Sequence, residues 1–191
     1  MAIIDVLKEK AKADKKTIVL PESEDRRTYE AAAKILKEGI ANIVLVGTDE
    51  DVKKHGEGLD LTGIQVVDPA TSDKTAAYID KLVELRSKKG MTPEQAKEIL
   101  LNQYLYYGVM MVKMGDADGM VSGACHSTAD TLRPCLQILK TKPGTKLVSA
   151  FFLMEVPNCE FGENGTFVFA DCGLNQDPNP EELAAIAASS A

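Results

Sequence analysis

The sequence contains few of the residues that build metal centres and disulfide frameworks. Its 191 residues include two histidines and four cysteines. The cysteines are spaced widely and form no CxxC pair; they are Cys125, Cys135, Cys159 and Cys172. Because structural zinc sites use closely spaced ligand pairs, we expect no metal site in this chain. In a reducing compartment each cysteine is expected to be a small buried hydrophobe.

Long apolar runs and an excess of positive charge are also missing. The longest apolar stretch, 147–154, contains Ser149 and is far shorter than the roughly 18 residues of a membrane-spanning helix. The 22 Lys and Arg residues are outnumbered by 29 Asp and Glu, giving a formal net charge of −7. Such a charge does not suit a nucleic-acid coat. Asp5 and Glu9 occur where a secretory signal needs an apolar core. We therefore expect a cytoplasmic protein that binds neither nucleic acid nor membrane.

Strand and helix patterns alternate over the first 145 residues. Short apolar or β-branched runs predict strands at 17–22, 41–47, 64–69 and 120–124. Helical spacing predicts helices around 4–11, 29–36, 72–89 and, in two pieces, 93–114. Strands joined by helices of ten or more residues form parallel βαβ units. The sequence therefore predicts an α/β protein, a three-layer αβα sandwich around a mainly parallel sheet.

A change in composition at the polar turn 141–144 predicts a domain boundary, with one α/β domain at 1–144 and a second beginning at 145–191. Beyond the turn, two apolar runs flank a loop that contains Asn164-Gly165, which predicts an antiparallel hairpin. Asn179 and Pro180 open a helix that reaches Ala191 without a closing signal. Two strands and one helix are too little for an ordinary core, so we expect the second domain to be incomplete.

A polar segment follows the fourth predicted strand, where ligands bind in open α/β sheets and helix amides are free. Gly123 permits close approach of the backbone to a ligand. Hydroxyl groups and one planar guanidinium follow within ten residues, at Ser127, Thr128, Thr131 and Arg133. Guanidinium and hydroxyl donors suit phosphate oxygens. Together these residues predict an oxyanion pocket.

The helix that follows this loop has two possible starting points. A capping box of Ser127 and Asp130 would place Pro134 inside the helix, at a cost of about 3 kcal/mol unless a kink absorbs it. A start at Asp130 leaves 126–129 as an exposed loop, and we favour it because Ser127 and Thr128 can then face a ligand. The alternative is that these residues only cap the helix while Arg133 forms a surface salt bridge.

Four further residues could contribute chemistry. Arg86 continues the buried stripe of the helix at 72–89, so its guanidinium either extends to solvent or faces a cleft with an anionic partner. His126 is a candidate general base, although a lone histidine more often has a structural hydrogen bond. Cys125 has no evident base beside it. Asp171 ends a strand, where it could face a ligand or cap the strand end.

Three stretches of the sequence carry a family resemblance. They are VLPESEDRRTYEAA at 19–32, GACHSTADTLRPCLQ at 123–137 and FVFADCGLNQDPNPEELAAIA at 167–187. In this order and spacing they resemble the phosphate acetyltransferase (phosphotransacetylase) family along all 191 residues. The segment HSTADTLRP is the most specific, whereas the first stretch is shared with the related phosphate butyryltransferases.

The resemblance implies reversible transfer of an acetyl group between coenzyme A and inorganic phosphate, with acetyl phosphate as the product. It also implies two α/β domains of the isocitrate/isopropylmalate dehydrogenase-like fold, an active site between them, a homodimer, and no metal or tightly bound cofactor. Arg133 and Arg86 match family arginines near the phosphate of acetyl phosphate, and Ser127 and Thr128 match the loop of that cleft. The family's Ser-Arg pair and aspartate, which act on the CoA thiol, have no counterparts here. No catalytic residue is therefore assigned.

Three functions remain open at this stage. The first is an acetyltransferase or its butyryl relative, represented by a partial chain. The second is a module that binds phosphate or acyl phosphate without turnover. A metal- and nicotinamide-dependent decarboxylating dehydrogenase is the third, and it is disfavoured because no GxGxxG follows a strand and no aspartate cluster suggests a divalent metal.

Overall fold

The structure, a computed structural model, describes residues 2–191 and divides into two compact units. One unit comprises Lys8–Lys140, and the other combines the amino-terminal segment up to Leu7 with Thr141–Ala191. The domain boundary at residue 144 stays a prediction. None of the helices within residues 2–191 has the length and hydropathy that crossing a bilayer requires.

Helices lie between the strands along the chain up to residue 140, as the sequence predicts, and one further short helix at Asp49–His55 was not predicted. The elements are α1 (Ile3–Ala13), β1 (Lys16–Leu20), α2 (Arg26–Glu38), β2 (Ala41–Val46), α3 (Asp49–His55), β3 (Gln65–Val67), α4 (Thr75–Arg86), a 3₁₀ turn (Ser87–Lys89), α5 (Pro93–Asn102), α6 (Tyr104–Met114), β4 (Gly119–Met120) and α7 (Thr128–Ile138). The strands pair in the order β3-β2-β1-β4, and every pairing is parallel. The predicted parallel sheet is confirmed.

Helices cover both faces of this sheet. On one face Val19, Val44 and Val46 pack against buried side chains of α4, α5, α6 and α7. On the other face Leu20 and Ile43 pack against α2. Successive strand residues point to opposite faces, so strands buried on both sides require nearly continuous apolar runs. The β1 and β2 sequences provide such runs, and the three-layer sandwich is confirmed.

Predicted helix ends are confirmed where capping side chains mark them. Thr92 accepts a hydrogen bond from the backbone N–H of Gln95, and the Gln95 side chain accepts one from the N–H of Thr92, at 3.3 and 3.0 Å. Asn179 and Glu182 form the same reciprocal box at the start of the last helix. Gly39 ends α2 with a φ of 68°, a left-handed conformation that favours glycine. Local sequence is sufficient in these places because each cap is a local hydrogen-bonding unit.

The predicted start of α7 is wrong. The helix begins at Thr128 with Ser127 as its N-cap, and Pro134 lies inside it. The Ser127 hydroxyl donates to the Asp130 carboxylate at 2.6 Å and accepts from the Asp130 N–H at 3.2 Å. Pro134 and Ile138 are buried, and helix stability in proteins comes mainly from such packing. Packing and the cap therefore outweigh the hydrogen bond that proline cannot make.

The strand before this helix is shorter than the sequence predicts. The run 120–124 is apolar enough for a strand, but β4 contains only Gly119 and Met120. The backbone leaves the sheet after the Val121 N–H donates to the carbonyl of Val19. The residues that follow form a loop, described below, whose amides turn towards a buried carboxylate.

The unit that contains Thr141–Ala191 is built around a two-stranded antiparallel hairpin, as predicted. Its elements are β5 (Phe151–Glu155), β6 (Thr166–Ala170) and α8 (Pro180–Ser190). Phe151 and Phe152 are 52 % and 57 % exposed, and Phe169 is 54 % exposed. Successive residues of a strand face opposite ways, so the hairpin exposes apolar side chains on both of its faces.

Gly108 should not tolerate the substitution that usually stabilises a helix. A Cβ at this buried position in α6 would lie 2.9 Å from the Met120 Sδ and 3.1 Å from the Val19 Cγ1. We expect Gly108→Ala to lower the free energy of unfolding by about 1 kcal/mol, because overpacking outweighs the helix propensity of alanine. Urea denaturation followed by circular dichroism measures this.

Gly119→Ala is the matched control, because its added Cβ would make only an ordinary 3.5 Å contact with Ile18. We expect it to change the free energy of unfolding by less than about 0.5 kcal/mol. A Gly108→Ala protein as stable as the parent would show that α6 does not pack against β1 and β4 in this way.

Candidate functional site

A crevice of about 420 Å³ opens beyond the carboxyl end of the parallel sheet. Strand β1 lies between β2 and β4, so the chain proceeds from β1 to β2 on one side and returns as β4 on the other. Open α/β sheets bind ligands at such a topological switch point. Four parts of the chain form the walls: the residues after β1, one residue of α3, the junction of α5 and α6, and residues in and just before α7. The lining residues are Pro21, Ser23, Glu24, Asp51, Asn102, Gln103, Tyr104, Leu105, Tyr106, His126, Asp130 and Arg133.

The amides of the loop after β4 converge on Glu22. The N–H groups of Gly123 and Ala124 donate to one carboxylate oxygen at 2.7 and 2.8 Å. Those of Cys125 and His126 donate to the other oxygen, both at 3.0 Å. Glu22 is only 2 % exposed. The loop is thus an anion-binding nest, as its sequence suggests, but a carboxylate of the same chain fills it.

Two opposing effects act on the pKa of Glu22. Burial alone would raise it, because the charged form loses water. Hydrogen bonds from the loop amides and from the His126 ring outweigh burial and lower the pKa to about 2. The carboxylate is therefore ionised at neutral pH and accepts hydrogen bonds only.

The His126 ring joins this buried carboxylate to the crevice. Its Nδ1 lies 2.9 Å from Glu22 Oε1, and its side chain is 34 % exposed and lines the crevice. Its Nε2 is 3.7 Å from Glu24 Oε1, which is beyond hydrogen-bond distance. The carboxylate orients the ring and leaves Nε2 on the open side.

The Cys125 thiol lies among the same groups. Its Sγ is 3.4 Å from Glu24 Oε1 and 3.5 Å from Glu22 Oε1. Partial desolvation of the sulfur, followed by the nearby carboxylates of Glu24 and Glu22, raises its pKa to about 12. Cys125 is therefore a neutral thiol at physiological pH, not a nucleophilic thiolate. The expectation that this cysteine is buried is wrong, because residue 125 is exposed.

Glu22, Cys125 and His126 also bring three potential metal-ligand atoms within 4.8 Å of one another. A metal requires free lone pairs and a deprotonated thiol. Glu22 Oε1 already accepts from two backbone N–H groups and faces the ring nitrogen. The donor set therefore does not favour a metal, and the expected absence of one stays a prediction.

Arg133 is the predicted substrate-binding residue that the structure places on the crevice wall. Its guanidinium is 58 % exposed, and its Nη1 lies 3.6 Å from Asp130 Oδ1. Asp130 is held in turn by the Ser127 hydroxyl. The weak ion pair leaves most donors of the guanidinium available to an anion.

Within the described residues 2–191, the other four predicted residues do not line the crevice. Ser127 is occupied as the cap of α7, and Thr128 is the exposed first residue of that helix. The Oγ1 of Thr131 and the Nε of Arg86 are buried without a hydrogen-bond partner within residues 2–191. The predicted convergence of these side chains with Arg133 is not found on this wall.

The charge of the crevice is predominantly acidic. Glu24, Asp51 and Asp130 contribute three carboxylates, whereas Arg133 contributes one guanidinium. The hydrogen bond from the Ser127 hydroxyl lowers the pKa of Asp130. Desolvation opposes this effect and the charge of Arg133 adds to it, so the Asp130 carboxylate is ionised at neutral pH. A phosphate dianion therefore needs more positive charge than this wall supplies.

Asp171 forms hydrogen bonds with residues close to it in the fold. Its carboxylate accepts from the backbone N–H groups of Gly173 and Leu174 at 2.7 and 2.8 Å. It also accepts from the Asn175 side chain at 2.6 Å and from the Ala150 N–H at 3.3 Å. These bonds hold the pKa of Asp171 well below its ordinary value. Of the two interpretations, capping of the strand end describes it.

Sequence reasoning missed four contributors to the site: Glu22, Glu24, Asp51 and the segment 102–106. A usable signal existed for Glu22, because it follows Pro21 at the carboxyl end of β1, where the strand-end rule applies. No local pattern identifies 102–106, since these residues reach the crevice only through the packing of α5 and α6.

Comparison with known proteins identifies the family. The family described as phosphate acetyl/butaryl transferase matches residues 2–191. The phosphate acetyltransferase of Thermoanaerobacterium thermosaccharolyticum is 56 % identical over 191 residues, which are 100 % of this chain and 58 % of that protein. That of Acetivibrio thermocellus is 56 % identical over 189 residues, 99 % of this chain and 57 % of that protein. The chain therefore spans somewhat more than half the length of these relatives.

Solved structures agree with this result. The EutD phosphotransacetylase from Staphylococcus aureus superposes with a TM-score of 0.86 at 39 % identity, covering 98 % of this chain and 56 % of that one. A phosphotransacetylase from Streptococcus pyogenes superposes with a TM-score of 0.87 at 41 % identity, covering 97 % of this chain and 55 % of that one. The family predicted from the three motifs is confirmed, and the chain belongs to the phosphate acetyl/butyryl transferase family.

Proposed function

We propose that this chain supplies the amino-terminal part of a phosphate acetyltransferase, which converts acetyl-CoA and phosphate reversibly into CoA and acetyl phosphate. The observation that carries the proposal is the identity of 56 % to relatives named phosphate acetyltransferase, extending over 191 residues. The position of the specific segment 126–134 beside a switch-point crevice supports it. The chemistry then takes place at the edge of the sheet where such folds bind ligands.

Phosphate attack on a thioester generates a tetrahedral oxyanion and needs an oriented nucleophile. Arg133 holds the phosphoryl oxygens in this proposal, since its guanidinium faces the crevice with most donors unused. Arg86, Thr131, Ser127 and Thr128 are assigned to substrate binding on the family motifs. Buried donors without partners on Arg86 and Thr131 support that assignment for these two.

The reverse reaction requires a group that deprotonates the CoA thiol, whose ordinary pKa is about 8.5. We place that group, with further cations for the phosphate, in the part of the family's length that this chain does not span. CoA is a substrate, and no tightly bound cofactor is needed. A cytoplasmic location, expected from the lack of a secretory signal in the sequence, and a homodimeric assembly, which the resemblance implies, belong to the same proposal.

A chimera tests the function directly. Residues 1–191 are joined to the carboxyl-terminal remainder of the Thermoanaerobacterium relative, and both the chimera and the 191-residue chain are assayed. Phosphate-dependent release of CoA and formation of acetyl phosphate are measured. We expect turnover by the chimera and little by the shorter chain. A folded chimera without phosphate-dependent turnover would reject the proposal.

One alternative for the 191-residue chain alone is a module that binds phosphate or acyl phosphate without turnover, because the chain spans only 58 % of the length of its acetyltransferase relative. Measurable catalysis by that chain excludes it. A butyryl preference is the second alternative, since the family description includes both acyl groups. The ratio of kcat/KM for acetyl-CoA and butyryl-CoA in the chimera decides between them.

A further inference from the structure

We propose that His126 is the proton acceptor of the crevice and that Glu22 is the residue that positions it. The proposal rests on the acetyltransferase function stated above and assigns a role within that reaction. Neither residue has an assigned role in the family resemblance. The starting observation is a buried carboxylate that contacts Nδ1 of His126, a residue whose side chain is 34 % exposed and lines an open crevice.

The contact between Glu22 and His126 fixes the tautomer of the ring. An ionised carboxylate accepts but does not donate, so the 2.9 Å contact requires the proton on Nδ1. In the neutral ring Nε2 then carries a lone pair. Four backbone N–H groups hold the carboxylate. The ring orientation is thus set by a group that cannot itself rotate without losing these bonds.

The surroundings of Nε2 favour a partner that brings a proton. Within residues 2–191 its nearest acidic neighbour is Glu24, at 3.7 Å, so no hydrogen bond occupies the lone pair. The charged and titratable groups that contact the ring or line the crevice with it come from five parts of the fold: Glu22 and Glu24 after β1, Cys125 in the same loop, Asp130 and Arg133 on α7, Asp51 on α3, and Tyr104 and Tyr106 on α6. Monohydrogen phosphate carries such a proton on its hydroxyl group.

The step balances as a single proton transfer coupled to acyl transfer. A phosphate oxygen forms a bond to the acetyl carbon, and the bond from that carbon to the CoA sulfur breaks. The phosphate hydroxyl proton passes to Nε2. The products are the acetyl phosphate dianion, the CoA thiolate and an imidazolium, which returns its proton through solvent to the thiolate. Such base catalysis contributes typically 10²- to 10⁴-fold.

Nuclear magnetic resonance of the ¹⁵N-histidine-labelled chain tests the positioning directly. The chain contains only His55 and His126, and His55→Gln assigns the two signals. We expect neutral His126 to be protonated on Nδ1 and unprotonated on Nε2, and Glu22→Gln to abolish this preference. A ring protonated on Nε2, or a tautomer unchanged in Glu22→Gln, overturns the proposal without reference to catalysis.

Kinetics of the chimera test the catalytic role. We expect His126→Gln to lower kcat at least 100-fold with the KM for acetyl-CoA unchanged. His55→Gln is the matched control, because His55 lies at the end of α3, outside the crevice lining, and stacks on Tyr29. We expect the His55→Gln chimera to have the same kcat and the same KM for acetyl-CoA as the parent chimera.

The outcomes separate this proposal from the proposed function. An inactive parent chimera rejects the acetyltransferase function, and the tautomer measurement still decides the positioning by Glu22. An active chimera whose folded His126→Gln variant keeps its rate within threefold overturns the role of His126. Should His126→Gln fail to fold, the Glu22→Gln chimera, assayed below its melting temperature, decides, because a kcat within threefold of the parent value overturns the proposal.

Discussion

Glu22→Gln is expected to lower the free energy of unfolding by about 3 kcal/mol at pH 7. The carboxylate accepts four backbone N–H bonds and contacts the His126 ring. A carboxamide has one acceptor oxygen, and its NH₂ group faces N–H donors. Loss of hydrogen bonds to a buried charge costs about 1.5–3 kcal/mol each in favourable cases, but partial compensation by the carboxamide reduces the sum. Urea denaturation followed by circular dichroism measures the effect.

The same residue predicts a pH dependence with a defined sign. Its pKa is about 2 in the folded state against an ordinary 4.5. A lowered folded pKa means that the stabilisation is complete above pH 4.5 and is lost as the pH falls from there towards 2. A difference of this size corresponds to about 3 kcal/mol. We expect the difference in stability between parent and Glu22→Gln to shrink through this window.

Glu24→Gln is the matched control. It removes the same charge from a residue two positions further along the chain, and the Glu24 side chain is 53 % exposed. No backbone N–H donates to it within the described part of the chain, so we expect a change of less than about 0.5 kcal/mol. Equal effects of the two substitutions, or a Glu22→Gln protein as stable as the parent, would refute the claim that the Glu22 carboxylate fills the loop nest.

Arg133→Ala is expected to cause a large loss of phosphate use in the chimera. A charge-assisted, desolvated contact to phosphate contributes about 2–4 kcal/mol to transition-state stabilisation, which corresponds to roughly 30- to 1000-fold in kcat/KM for phosphate. Its removal also leaves Asp130 without its cationic neighbour, which makes the crevice still more repulsive to an anion. The KM for acetyl-CoA should change little.

Two variants control this measurement. Arg133→Lys keeps the charge without the planar fork, and we expect partial activity from it. Arg26→Ala removes an arginine whose guanidinium donates to the carbonyls of His55 and Glu57 and which is not part of the crevice lining. It should leave the KM for phosphate unchanged. If a folded Arg133→Ala chimera keeps the kcat/KM of the parent for phosphate, Arg133 does not bind phosphate.

Much of the architecture could be predicted from short-range patterns. Thr92 with Gln95 and Asn179 with Glu182 are complete capping units within four residues, so neighbouring sequence is sufficient to specify them. The hairpin of β5 and β6 follows from two apolar runs and the turn at 164–165. The family could be predicted as well, because its motif at 126–134 is continuous in sequence.

The site was predicted less well because its contacts join distant parts of the chain. The hydrogen bonds between Glu22 and the loop at 123–126 connect residues about a hundred positions apart. The hydroxyl groups of the loop were expected to face a ligand, but Ser127 caps α7. A cap and a ligand contact use the same side-chain oxygen, and sequence alone does not rank the two.

By itself the sequence determined the periodicities, the caps and the family, since each depends on residues close together in the chain. Only the tertiary structure decided that Glu22 fills the loop nest, that His126 joins Glu22 to the crevice and that three carboxylates line the crevice with one guanidinium. The physical reason is that the Glu22 carboxylate follows β1, whereas the loop amides and the His126 ring that contact it follow β4. These strands become neighbours only when the parallel sheet forms.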